Sequence, residues 1–159
     1  MTQEDEIGTQ GLPLILASRW RRLGGALIDF IISLVYELPL LVVTGAASSI
    51  FVRGEALAIS QQATLFIFNW GFFLLLNGYL LLKRGQTIGK VILKMKIVDV
   101  RGNVPTFGKL LGLRYLAFWL VSQIPLLGVL VILFNMLCIF GKERRCLHDY
   151  LAGTRVVEA

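Results

Sequence analysis

The sequence predicts an all-α polytopic membrane protein with four membrane helices, the last two a short hairpin, and a small cytoplasmic β cap. Three observations carry this. Apolar residues make up 56% of the chain and the mean hydropathy is +0.73, unlike an ordinary soluble domain. Long apolar stretches are bounded by basic flanks, as short cytoplasmic loops are. A carboxylate, Asp29, lies inside the first stretch, where an ionisable group is costly and marks a candidate functional site.

In chain order, residues 1–18 form an N-terminal tail, acidic at Glu4, Asp5 and Glu6, without the small-residue cleavage site of a secretory signal. Its apolar run Gly11–Ala17 is too short to span and is expected at the membrane interface. A single membrane domain over residues 19–157 follows. The first helix is expected over about residues 23–43, with Glu37 and Pro39 in its distal third, where neighbouring helices can re-satisfy the backbone that Pro39 frees. The second, about residues 63–82, carries Asn69, Trp70 and Asn77 and stops at Lys83-Arg84-Gly85. Loop 83–106 is basic, with Asp99 as its only acid, and like the flank Arg19, Arg21 and Arg22 it is expected on the cytoplasmic side. Within it, Lys94 to Asp99 alternates as a strand does, and Asp99-Val100-Arg101-Gly102-Asn103 has turn chemistry. Thr154-Arg155-Val156-Val157, in the tail 141–159, is a second β-prone run.

The last apolar stretch, Leu110 to Phe140, ends in another basic flank, Lys142-Glu143-Arg144-Arg145. One crossing would place that flank outside, so an even number is required. Ile124-Pro125-Leu126-Leu127-Gly128 supplies the break. Helices over about residues 107–123 and 126–140 result, each roughly 22 Å long against a hydrocarbon core of ~30 Å. The hairpin is therefore either short or re-entrant. Segment length alone gives three transmembrane helices; charge parity gives four, with both termini cytoplasmic.

In that topology Asp29, Asn77, Arg114 and Asn135 fall at similar depth, one from each helix. Arg22 shares a helix face with Asp29, roughly 10 Å along the axis. The expected arrangement is a buried polar layer of Arg22, Asp29, Asn77, Arg114 and Asn135, with Arg114 or Arg22 as the charge partner of Asp29. Two roles stay open for Asp29: a carboxylate that exchanges a proton or cation, or a permanently paired structural anchor.

The first helix, the loop and the tail together resemble the RDD family of bacterial membrane proteins, named for one arginine and two aspartates. Arg22 and Asp29 match its first-helix pair in order and spacing. Gln86-Thr87-Ile88-Gly89-Lys90 is similar to its Thr-Pro-Gly-Lys turn, with Ile88 where proline is usual. Arg114 matches an arginine of the third helix. Leu147-His148-Asp149-Tyr150-Leu151-Ala152-Gly153-Thr154 resembles its closing His-Asp…Ala-Gly-Thr segment. Asp149 is the candidate for the second aspartate, ahead of Asp99. The resemblance implies a bacterial cytoplasmic-membrane protein and transport, with cation/proton exchange as the proposed chemistry, and makes Thr87, Gly89, Lys90, His148 and Asp149 a cytoplasmic motif.

The sequence carries no nucleophile–base pair, phosphate loop or metal-ligand set. Cys146 and His148 are a two-ligand fragment, so neither an enzyme nor a cofactor is expected. The net charge of +6 belongs to membrane flanks and comes without a nucleic-acid recognition motif. Two function classes remain beside the bilayer as partner. One is a homo-oligomer that transports a small cation or solute. The other is a non-transporting accessory subunit of a larger membrane protein complex.

Overall fold

The computed structural model describes residues 14–122, 124, 127–138, 140–141 and 145–159. Helix α1 spans Arg19–Val43 and is opened by Ser18, whose hydroxyl accepts the Arg21 N–H, a standard N-cap. The helix therefore starts within the basic flank rather than near Leu23. The linker after α1 folds into a short turn of helix, α2 (Ala46–Ser48), and a π-helical turn, Ser49–Arg53. Gln61 ties this linker back by donating to the Thr44 carbonyl at 3.1 Å. Helix α3 spans Ile59–Arg84.

Both α1 and α3 are long and apolar enough to cross a membrane. Their large apolar side chains point outward, among them Leu27, Phe30, Val35 and Val42 on α1 and Ile67, Phe68 and Leu75 on α3. The mid-helix polar residues Asp29, Glu37, Asn69 and Asn77 instead line an internal cavity, an inversion of the usual soluble pattern that suits a lipid surround.

Gly85 ends α3 in the left-handed conformation (φ +63°), and its carbonyl accepts the Ile97 N–H at 2.8 Å. A Cβ at Gly85 would collide with the Ile97 carbonyl, so this tight exit requires glycine. Beyond it come α4 (Ile88–Ile92) and strand β1 (Met95–Asp99), then π-helical turns over Lys109–Leu116 that continue as α5 (Ala117–Ser122). Helix α6 (Leu127–Cys138), α7 (Leu147–Ala152) and strand β2 (Thr154–Glu158) complete the chain.

The two strands pair antiparallel, with Ile97 opposite Val156. The leader expected at the interface adds an edge to this sheet: Leu16 bridges Val157, and the Ala17 N–H reaches the Val156 carbonyl at 3.1 Å. Ala17, Met95, Ile97 and Val156 pack with Leu81 of α3 and Leu110 of the π-helical segment in the best-buried apolar cluster among the described residues. A two-stranded ribbon is marginal alone; here three other segments cover it.

The last apolar segment begins at the cap, through Leu110, and its far end returns beside the start of α1. Phe140 meets Trp20 edge-on with ring centroids 6.4 Å apart, and Arg19 donates to the Gly141 carbonyl at 3.4 Å. The expected break at Pro125 and the flank Lys142 to Arg144 lie outside the described residues.

Candidate functional site

Two short helices, α4 and α7, bring the polar residues together. Asp149 occupies the first turn of α7, where its carboxylate accepts the Cys146 N–H at 3.1 Å. An acid there also complements the helix dipole. Arg22 reaches it from α1 at 2.5 Å, and Arg114 reaches the other oxygen from the π-helical segment. Arg114 donates in addition to Thr154, 2.6 Å away at the start of β2, and the Thr154 hydroxyl donates to Asp149 at 3.2 Å. Asp149 and Thr154 are 0% exposed, Arg114 4% and Arg22 7%. Burial alone would push the Asp149 carboxyl up, but the adjacent Arg114, with Arg22, holds it well below the usual carboxylate range.

This arrangement corrects an expectation. Neither Arg114 nor Arg22 pairs with Asp29; both are taken by Asp149. The helical spacing put Arg22 and Asp29 on one side of α1, but the Arg22 side chain turns to α7, where a fully buried carboxylate offers the stronger field.

Asp29 is bound differently. Its carboxylate accepts the Thr87 hydroxyl at 2.5 Å and the Gly89 N–H at 2.7 Å, with the Lys90 ammonium 3.8 Å away. The Asn77 side-chain oxygen accepts the neighbouring Ile88 N–H at 3.0 Å. Thus α1 and α3 together satisfy the free N–H groups at the start of α4, where Thr87 makes no cap bond of its own. The Thr-x-Gly-Lys motif gains a physical reading. Thr87 donates to Asp29, while Lys90 supplies charge and donates to Thr87 at 3.2 Å. Gly89 lets α4 approach α1, because a Cβ there would run into the Gly25 carbonyl and the Asp29 carboxylate.

Asn135 of α6 lies 2.9 Å from Nδ1 of His148. His148, part of the expected cytoplasmic motif, borders the same cavity as Asp29, Asn77, Arg114 and Asn135. Burial, reinforced by the Arg114 charge, pushes His148 down to about 3 against the opposing pull of Asp149. Asp99 closes its own turn by accepting from the Arg101 and Asn103 N–H groups.

That cavity measures about 410 Å³ and extends along α1 to Tyr36 and Glu37 and along α3 to Asn69 and Trp70. Asn69 donates to Glu37 at 2.8 Å. A second cavity of about 260 Å³ shares Asp29, Arg114, Asn135 and His148 with it and opens toward Arg22, Thr87 and Lys90. A third, about 220 Å³, shares Glu37 and Asn69 and continues to Leu41 and Gln62. The Tyr115 hydroxyl and the Arg114 Nε–H have no hydrogen-bond partner among the described residues, and both residues border the first two cavities. Sequence reasoning missed Tyr36 and Tyr115, since aromatic residues on an apolar helix carry no mark of which face they occupy.

Cys146, His148 and Asp149 place potential ligand atoms within 4.8 Å of one another. The cluster does not suit a metal ion. The Asp149 oxygens are already engaged by two guanidinium groups, which would repel a cation. Burial, with Asp149 beside it, also pushes the Cys146 thiol up to about 11, away from the thiolate that binds metals.

No curated protein and no solved structure matches the chain. The family model described as RDD family matches residues 16–153, a span that contains Arg22, Asp29, the Thr87–Lys90 turn, Arg114 and Asp149. With apolar helices, an arginine and two aspartates in these places, this membrane-associated chain belongs to the RDD family.

Proposed function

We propose that the chain is a non-enzymatic, multi-pass protein of the bacterial cytoplasmic membrane that passes a small cation or solute, by cation/proton exchange, along the cavities beside α1. The observation that carries this reading is that they adjoin one another. Three cavities with shared walls follow α1 from Arg22 to Leu41, about 28 Å of helix against a hydrocarbon core of ~30 Å. Two carboxylates, Asp29 and Glu37, border them, about 12 Å apart along the helix. Asp29 also holds α4, so a change at the cavity reaches the cap directly.

The reading includes four membrane helices with both termini and loop 83–106 cytoplasmic. The return of Phe140 to Trp20 supports an even number of crossings. Assembly as an oligomer is part of the proposal, since one set of four helices, the last two of them short, encloses little alone. Impermeant thiol reagent added to intact cells should label a cysteine placed at Phe51 and spare one at Arg101; the opposite pattern overturns the topology.

Purified protein in vesicles carrying a pH-sensitive dye tests the function. Wild type should couple cation entry to proton exit, Glu37→Gln and Asp29→Asn should lose this coupling, and Arg21→Ala should keep it. A folded wild-type protein without flux overturns the reading. It would leave the accessory-subunit role, which the mass of the native assembly then reports.

A further inference from the structure

We propose that the central cavity takes a methylated ammonium cation. This deepens the proposed function and rests on its reading of the cavity as a solute passage. Four aromatic rings, Tyr36, Trp70, Phe73 and Tyr115, border the space. They are not stacked into a slab. Trp70 and Phe73 stand 5.8 Å apart at 74°, and Phe73 and Tyr115 stand 5.0 Å apart at 50°. Rings set at such angles form corners, and a box of ring faces is how proteins hold quaternary ammonium groups, through the negative face of each π system. Tyr36 is fixed in place by stacking on Phe72, with centroids 5.3 Å apart.

The charge balance of the walls points the same way. The Arg114 charge on the wall is taken by Asp149, and Asp29 has Lys90 nearby and the start of α4 in its grip. Glu37 has the Asn69 amide, and among the described residues no lysine or arginine lies within ion-pair distance of it. A cation in the cavity would supply that missing charge. A hard divalent cation takes six or more oxygen ligands, and Glu37 with Asn69 offers too few at this end. A methylated ammonium gives up little hydration and fills the remaining contacts with ring faces. The volume of about 410 Å³ is within the range of small-ligand sites.

Calorimetry on the full chain in lipid nanodiscs tests this, with tetramethylammonium as the probe and tert-butanol as a neutral molecule of similar bulk. Tetramethylammonium should bind and tert-butanol should not. Trp70→Leu should weaken binding about tenfold, the value of one desolvated cation–π contact, while Trp70→Phe keeps most of it. Glu37→Gln should weaken it by at least about tenfold on the same scale. Circular dichroism on each variant identifies any that fail to fold. No binding by the wild type, equal binding of tert-butanol, or wild-type affinity in folded Trp70→Leu and Glu37→Gln overturns the proposal. The two readings separate cleanly. Tetramethylammonium binding without flux keeps the site and removes the passage; sodium–proton flux without tetramethylammonium binding keeps the passage and removes the site.

Discussion

The two aspartates of the motif sit in opposite circumstances. Asp149 is fully buried and faces two guanidinium groups, a threonine and a backbone N–H. Asp29 has a quarter of its side chain exposed (25%), binds through a hydroxyl and a backbone N–H, and has the Lys90 ammonium at 3.8 Å. The first is a structural lock. It joins α1, the π-helical segment and α7 at a single carboxylate, and removing that carboxylate strands two buried charges. The second is a looser latch that borders the cavities and grips α4. A family name that gives the aspartates equal standing hides this division of labour.

The largest expected effect comes from cutting the lock. Asp149→Asn leaves Arg22 and Arg114 uncompensated and should cost about 3–5 kcal/mol, seen as loss of yield or a collapsed unfolding midpoint in detergent. Adding Arg114→Gln to that variant should recover part of the loss. If Asp149→Asn unfolds at the wild-type midpoint, the lock is not structural.

Gly89→Ala should come next. Its methyl group meets backbone and carboxylate rather than a flexible side-chain end, so α4 must shift, at about 1–3 kcal/mol. Loss of amide-exchange protection confined to residues 87–92 would report that shift; unchanged protection would refute the close contact.

A pH effect of similar size should trace to His148. Its pKa falls from 6.5 in the free group to about 3 in the fold. The unfolded chain therefore binds more protons in that window, and stability drops as pH is lowered through it. Between pH 6.5 and 5 the loss is about 2 kcal/mol, and His148→Gln should flatten the slope. Asp149 acts in the same direction at lower pH. Its folded pKa lies below the ordinary 3.8, so its stabilisation is present above that value and disappears as pH falls through the folded one.

Opening the latch should cost less. Asp29→Asn keeps an acceptor for one of its two donors and loses the charge, about 1–2 kcal/mol, with the fold intact by circular dichroism. An effect as large as that of Asp149→Asn would erase the distinction between the two sites. Smallest of all is the exposed pair Arg21–Glu158, at 2.8 Å with both side chains 42% exposed. Arg21→Ala should move the unfolding midpoint by less than ~0.5 kcal/mol, since solvent screens such pairs.

Membrane character, the positions of α1 and α3 and the β-prone runs were legible in the sequence because each rests on local pattern: apolar run length, basic flanks, alternation. So was the family, through ordered short motifs. The short helices α4 and α7 were not legible. α4 is five residues long and α7 six, lengths that are unstable alone, and both are held by capping groups, Asp29 and Asn77 for α4 and Asp149 with its arginines for α7. The topology read from the basic flanks put Asp29, Asn77, Arg114 and Asn135 at similar depth, and the four line one cavity. What depth and spacing gave wrongly was the carboxylate of each arginine: the choice is Asp149 in place of Asp29. That choice joins Arg22 to a residue 127 positions away and Arg114 to one 35 positions away. Only the packing of α7 against the π-helical segment decides it, because a buried charge goes to the partner that the fold brings within reach and shields from solvent.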